Sequence, residues 1–300
     1  MPRKRKGNPV HGWVVVDKPL NMTSTQAVGK TRWLYTAQKA GHAGTLDPLA
    51  TGILPIALGE ATKTVPFTMD ADKVYQFTVT WGENTDSWDA EGAVTETSDI
   101  RPPREDIEAA LPEFIGHIEQ IPPKYSAIKV DGKRAYDLMR DGKYVELKSR
   151  SVFIERLNIT DCNADSVTLE MTCGKGTYVR SLARDLAARL GTCGHVTYLR
   201  RTRVGPFTLD ASFSLDVLEN LPYEARVSEG LLPVETALDD IPVLAVTEDQ
   251  AFALKQGRAI VSNSPNVAPT EWVLAMSGGR VVALCNAQSE TISPKRVFNL

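Results

Sequence analysis

The chain has 300 residues, with 34 Lys+Arg against 37 Asp+Glu, a formal charge of -3, 42% hydrophobic and 24% charged residues; these proportions exclude a disordered, collagen-like or coiled-coil protein as the main architecture. The longest runs without a charged residue, Pro48 to Gly59 and Ala259 to Thr270, are 12 residues each, short of the roughly 18 apolar residues a spanning helix needs. At roughly 100 to 200 residues per domain, one large domain, alone or with a small companion, is predicted.

The N-terminal PRKRK resembles the start of a signal peptide, but the apolar run that follows, Trp13 to Val16, is cut off by Asp17, so no leader is predicted. Gly12 to Asp17 reads as a short buried strand broken by Pro19, and Thr23 or Ser24 then caps a helix running towards Tyr35. Gly41 to Gly52, with three glycines, a proline and two threonines, reads as a loop. Residues 74 to 81 alternate, Tyr75, Phe77, Val79 and Trp81 against Gln76, Thr78 and Thr80, which predicts a strand with one buried face.

Residues 104 to 115 read as helix. The stretch 118 to 150 is irregular around Pro122, Pro123 and Gly132, with one short helix near 134 to 140, and is long enough for a functional flap. Strands are predicted at 151 to 159, 166 to 173 and 195 to 203, with a helix from about 178 to 190 after the Gly174 to Gly176 turn. Two more strands, 272 to 276 and 280 to 285, meet at Ser277-Gly278-Gly279. This order lacks βαβ regularity and predicts an α+β fold, with a boundary near Asp239 to Pro242 that leaves about 60 residues for a small β-rich module.

Charge is unevenly spread. Residues 1 to 40 hold 8 basic and 1 acidic residues, 41 to 122 hold 4 and 15, 123 to 206 hold 16 and 9, and 207 to 300 hold 6 and 12. If the two basic blocks fold onto one face, they line a groove for phosphates; otherwise they are solvated helix faces. Lys124, Lys129, Lys133 and Arg134 surround Tyr125 and Tyr136, and Arg200, Arg201 and Arg203 follow Tyr198, an interleaving suited to base stacking beside a phosphate track.

Several chemistries are excluded. GKGT at 174 to 177 has Leu169 where a phosphate loop needs its first glycine and Gly176 where it needs Ser or Thr. No GxGxxG or GxSxG occurs. His11, His42, His117 and His195 lack metal-ligand spacing with Cys162, Cys173, Cys193 and Cys285, and those cysteines read as reduced thiols of a cytosolic protein. An enzyme here works without metal, nucleotide or triad. The densest unusual segment is GHAGTLDPLATG, where Asp47 precedes Pro48 and the glycines allow close approach of a ligand. Asp47 is either a fixed carboxylate presented to a substrate or, with Thr45, a turn cap. Its counter-charge is Arg180, with Arg184 as rival. Tyr75 and Tyr178 either stack on a planar ligand or pack in the core.

Over about residues 10 to 205 these strings resemble the bacterial tRNA pseudouridine-55 synthase family (TruB type). Its DKPxGxTS pattern appears as Asp17 to Ser24, with Asn21 in place of glycine; Asn tolerates positive φ better than other side chains. GHAGTLDPLATGILPIALGEATK, QIPPKYSAIKVDGKRAY, GKGTYVRSLARDL and HVTYLRR follow in the family's order.

The resemblance implies an α+β protein: a mixed, mainly antiparallel sheet with flanking helices as catalytic domain over 1 to 240, an RNA-binding flap at 118 to 150, and a PUA-like module over 241 to 300. It implies isomerisation of U55 in the tRNA T-loop to pseudouridine after base flipping, without cofactor, nucleotide or metal. Asp47 becomes the nucleophilic or proton-handling carboxylate and Arg180 its ion-pair partner. His42 fills the gap left by the flipped nucleotide; Tyr75 stacks on the uracil and serves later proton removal; Tyr178 and Leu199 line the uridine pocket; Lys18 and Pro19 support the catalytic loop. A monomer acting on the tRNA elbow in the cytoplasm, away from membranes, is expected. The alternatives are a tRNA-folding chaperone and a guide-RNA-dependent synthase; the irregular 118 to 150 segment favours an enzyme that acts alone.

Overall fold

The computed structural model describes residues 7–126, 128–130, 133–134, 147–261, 270–288 and 290–300. The PRKRK run and, beyond residue 134, the short helix expected near 134 to 140 lie outside the described residues. Among those described, the strands in chain order are β1 (Gly12–Lys18), β2 (Ala40–His42), β3 (Ala50–Leu58), β4 (Lys73–Trp81), β5 (Glu83–Thr85), β6 (Val94–Thr97), β7 (Gly116–Gln120), β8 (Lys129–Val130), β9 (Lys133–Arg134), β10 (Arg150–Cys162), β11 (Ser166–Cys173), β12 (Gly194–Val204), β13 (Phe207–Thr208) and β14 (Phe213–Ser214). The C-terminal strands are β15 (Val243–Ala245), β16 (Ile260–Val261), β17 (Thr270–Ser277), β18 (Arg280–Gln288) and β19 (Thr291–Val297). Four helices matter for the site: α1 (Ser24–Leu34), α2 (Val65–Asp70), α3 (Arg104–Ala110) and α4 (Val179–Arg189).

The main sheet runs β14-β1-β3-β12-β4-β11-β10-β7 and is mixed but mainly antiparallel, as expected; only β1 with β14 and β3 with β12 pair in parallel. Period-two alternation decides which face each side chain joins. On β1, Val14 and Val16 enter the cluster beneath α1 with Leu34 and Tyr35, while Trp13 and Val15 enter the opposite cluster. On β4, Phe77, Val79 and Trp81 are buried against Leu182 and Leu186 of α4 and Ile107 of α3, as the alternation predicts.

Strand β3 is the pivot. It is apolar along nearly its whole length because both faces are covered. One edge pairs with β1, while the other pairs with β12 over Ala50–Gly52 and with β2 over Ile56–Leu58. The expected loop over Gly41 to Gly52 is therefore shorter than predicted. Its ends are drawn into β2 and β3, leaving residues 43–49 free of strand pairing.

The C-terminal strands form the expected small β-rich, PUA-like sheet, ordered β15-β17-β18-β19-β16, with a tight Gly278-Gly279 turn at positive φ. It shares a core with the back of the main sheet. Leu274, Leu284 and Phe298 pack with Trp13, Ile53 and Phe207, and Trp272 meets Phe67 of α2 edge-on at 5.1 Å. Polar contacts rim this core: Lys63 Nζ donates to the Val297 carbonyl at 2.7 Å, and the Asn299 N–H donates to Glu60 Oε2 at 2.8 Å.

Gly52 sits where β3 leaves the loop, at φ 97°, and a Cβ there would lie 2.1 Å from the Arg201 carbonyl oxygen. Gly52→Ala is expected to cost roughly 1–3 kcal/mol from the backbone conformation alone, with more from the clash. Chemical denaturation with an unchanged midpoint would contradict this reading of the β3–β12 junction.

Candidate active site

The turn after β1 and the segment 43–49 form one hydrogen-bonded unit. Lys18 Nζ donates to the carbonyls of Pro19 (3.0 Å), Met22 (2.6 Å) and Pro48 (3.3 Å), and the Asn21 N–H donates to Pro48 O at 2.9 Å. Asn21 adopts φ 60°, so the asparagine takes the conformation a glycine would supply. Thr23 caps α1 in a reciprocal capping box with Gln26. That frees Ser24, whose Oγ donates to the Leu46 carbonyl (3.0 Å) and accepts from the Leu46 N–H (2.9 Å). Leu46 is buried, Gly44 O accepts from Arg201 Nη2 at 3.1 Å, and Asp47 O accepts from the Ala50 N–H at 3.1 Å. With its neighbours fixed on both sides, Asp47 has little backbone freedom.

Arg180 stands in the first turn of α4. Tyr178, the residue before that helix, is extended and offers no side-chain cap. Gln120 from β7 takes that place: its Oε1 accepts from the Tyr178 N–H at 2.7 Å and its Nε2 donates to Tyr178 O at 3.1 Å. From this anchored end the Arg180 guanidinium reaches Asp47 Oδ2 (2.8 Å) through Nη2 and Asp89 Oδ2 (3.2 Å) through Nη1. It also donates to the carbonyls of Ser87 (3.0 Å) and Tyr125 (2.9 Å). The Arg180 side chain is 5% exposed and that of Asp89 10%, against 37% for Asp47. Two carboxylates thus share one buried cation, and only Asp47 opens to the outside. Burial pushes the Asp47 carboxyl above its ordinary range; Arg180 opposes this and Asp89 adds to it. The rival Arg184 faces elsewhere, pairing with Asp185 and lying 4.1 Å from the Trp88 ring centroid.

Above Asp47 lies a cleft of about 520 Å³. Tyr75, Tyr178, Leu199 and Arg180 line it with Asp47, and Lys175 and Arg150 stand in its wall. The Arg150 guanidinium lies 5.0 Å from the Tyr178 ring centroid. Lys18 belongs to the layer behind: it is wholly buried and holds the loop. His42 lies on β2 opposite Ile56, before the loop, and does not line the cleft. Among the described residues no three side chains converge as metal ligands.

The stretch HVTYLRRTR is not the RNA-facing cation cluster expected from its composition. Alternation along β12 turns Arg201 into the interior at 1% exposure, and Arg200 forms a forked pair with Asp17 at 3.0 and 2.7 Å. Sequence reasoning also missed Asp89, Gln120 and Ser24. Ser24 was within reach, because a capping box seated on Thr23 leaves the next hydroxyl spare. Asp89 carried no local signal.

The family model described as TruB family pseudouridylate synthase (N terminal domain) matches residues 32–179, and that of the tRNA pseudouridylate synthase B C-terminal domain matches residues 180–239. The proteins called tRNA pseudouridine synthase B from Caulobacter sp. (strain K31) and Caulobacter vibrioides are 59% and 60% identical, each covering 100% of both chains. The chain belongs to the TruB family of pseudouridine synthases. Solved structures extend the fold of this family member. An H/ACA ribonucleoprotein bound to a substrate RNA containing 2'-deoxyuridine superposes with TM-score 0.76 at 21% identity, covering 100% of this chain and 92% of that one. A Cbf5-Nop10-Gar1 complex gives 0.74 at 24%, covering 96% and 85%.

Lys18 yields a test of the loop's foundation. Burial lowers its ammonium from 10.5 to about 8, Asp47 resisting and Arg201 assisting. Between those values the unfolded chain holds a proton that the folded chain has released, so unfolding free energy rises with pH across the window on account of this residue. Lys18→Met is expected to flatten that rise by up to about 3 kcal/mol, measured by denaturant unfolding at either end of the window. An identical rise in both proteins would reject the assignment.

Proposed function

We propose that the chain isomerises uridine 55 in the T-loop of tRNA to pseudouridine at this cleft. The observation that carries the proposal is a single half-open carboxylate, Asp47, ion-paired from below by buried Arg180 and roofed by two tyrosines and a leucine. The reaction breaks the C1'–N1 bond, turns the base in place and joins C1' to C5. It consumes no redox equivalent and no energy donor. A uracil stacked within the T-arm is out of reach of such a cleft and has to be flipped into it.

In this reading Asp47 adds to the sugar, adds to the base, or removes the 2' proton; each route starts from one ionised carboxylate. Arg180 keeps it ionised and oriented against the burial that favours the protonated form. Tyr75 stacks on the uracil and serves proton removal, and Tyr178 and Leu199 close the pocket. His42, on the strand leading into the loop, enters the space the flipped base vacates. Lys175 and Arg150 at the cleft wall are placed to meet phosphates flanking the target. The catalytic domain is assigned to 1–240 and the PUA-like module to 241–300, acting as a monomer on the tRNA elbow in the cytoplasm. No helix among the described residues is long and apolar enough to cross a membrane.

A guide-RNA-dependent role is less well supported, since the likeness to the ribonucleoprotein structures is one of fold at 21 to 24% identity. Incubation of the purified chain with an unmodified T-arm hairpin separates the two: pseudouridine formed without guide or partner supports this reading. Asp47→Asn is expected to retain RNA binding while abolishing product, and pseudouridine formation by that variant would overturn the carboxylate's role. A chaperone without chemistry would yield no product even with Asp47 intact.

A further inference from the structure

Arg201 is a guanidinium buried in the cleft wall with no carboxylate within 4 Å among the described residues. Its Nε donates to Ile53 O at 2.8 Å and its Nη2 to Gly44 O at 3.1 Å, which leaves part of its five-donor fork for other work. A buried cation without a counter-ion is costly, and anionic charge developing nearby would offset that cost. The sheet register supplies the group on which such charge can develop. Arg201 on β12 pairs directly with Tyr75 on β4, and both side chains line the cleft that holds Asp47. Cross-strand partners of this kind have Cβ atoms about 4.5–5.5 Å apart.

The charged and titratable groups acting on Tyr75 pull in opposite directions. Burial, the largest influence, raises the phenol above its ordinary range; Arg201 opposes this, and Cys173 and Asp47 add to it, so Tyr75 rests as a neutral phenol and Arg201 alone favours loss of its proton. On the third side, Tyr75 pairs with apolar Met171 of β11.

We propose that Arg201 is a positioning residue that readies the Tyr75 oxygen to take the C5 proton from the rearranged uracil. The inference rests on the function proposed above. Once C1' is joined to C5, the base carries an sp³ C5 and an N1=C6 double bond. The Tyr75 phenol gives its proton to water, Arg201 stabilising the phenolate so formed, and the C5–H bond then breaks with its proton passing to that phenolate. The freed electron pair forms C5=C6, the N1=C6 pair moves to N1, and N1 takes a proton from water. The proton taken from C5 restores the phenol, so that the net change is a proton moved from C5 to N1. A neutral phenol lacks the basicity for this step, and Arg201 supplies the positive charge that favours the phenolate.

The test uses the full chain and an unmodified tRNA transcript carrying either hydrogen or deuterium at C5 of the target uridine. In Arg201→Gln, single-turnover pseudouridine formation is expected to fall about 100-fold, the scale of one proton transfer. Affinity for tRNA should hold and the C5 isotope effect should rise above that of the wild type. Arg201→Lys, which keeps the charge, should recover part of the rate and also covers the case in which the glutamine variant does not fold. Adding Arg201→Gln to Tyr75→Phe should cost little beyond Tyr75→Phe alone. A loss that multiplies in the Tyr75→Phe background, or an unchanged isotope effect, would overturn the inference and leave Arg201 as a mere support of Gly44 and Ile53. Absence of product from the wild-type chain would instead remove the function on which the inference stands.

Discussion

One buried guanidinium organises the candidate active site. Arg180 lies between Asp47 and Asp89 and also takes the carbonyls of Ser87 and Tyr125, so three separate stretches of chain converge on a single planar group. Breaking such a buried pair by deleting one partner leaves an uncompensated charge, at a cost of roughly 3–5 kcal/mol. The geometry therefore has few alternatives. Surplus negative charge, two carboxylates to one cation, is tolerated because Asp47 retains an opening to the cleft. That opening leaves Asp47 the one of the pair that a molecule in the cleft can reach. Asp89, closed in and held by the Ser87 hydroxyl and the Glu91 N–H, is fixed as a strut.

Around this centre the architecture follows from the need to hold one short segment rigid from both ends. DKPLNMTS and GTLDP, twenty-odd residues apart in the chain, are physically a single turn-on-turn assembly. A lysine ammonium and a backbone N–H from the first bond the Pro48 carbonyl of the second, and a serine hydroxyl bonds both the carbonyl and the amide of Leu46. A hydrogen bond to a charged donor in a water-poor setting is among the stronger polar contacts available, and Lys18 donates to three carbonyls without lying in the cleft itself.

Much of this was readable in advance, for identifiable reasons. Strand β4 was legible because it is half-buried and its alternation is clean, and α1 because Thr23 and Gln26 form a capping box in sequence. The Asp47 loop was conspicuous through its glycines and its Asp-Pro step, although its ends were misjudged. Gly41 and Gly52 look like loop residues and in fact pair in strands, Gly52 because the Arg201 backbone passes too close for any side chain. What stayed hidden depends on register or distance. Arg200 and Arg201 are adjacent, identical in type and opposite in fate, and only the phase of β12 tells them apart. Gln120 caps a helix that begins 59 residues later, and Asp89 lies in a turn whose partner is a helix near residue 180; no local window contains either relation.

The shared core between the terminal sheet and the reverse of the main one has a mechanical meaning. Trp13 touches that core on the strand that ends at Lys18, and Ile53 touches it one residue after Gly52, so both reach the anchors of the Asp47 segment. The C-terminal strands thus serve as a buttress, bracing from behind the strands that flank the Asp47 segment. Removal of these strands would strip the face around Trp13, Phe67 and Phe207 bare and loosen the floor beneath the cleft, although among the described residues none of their side chains lines it.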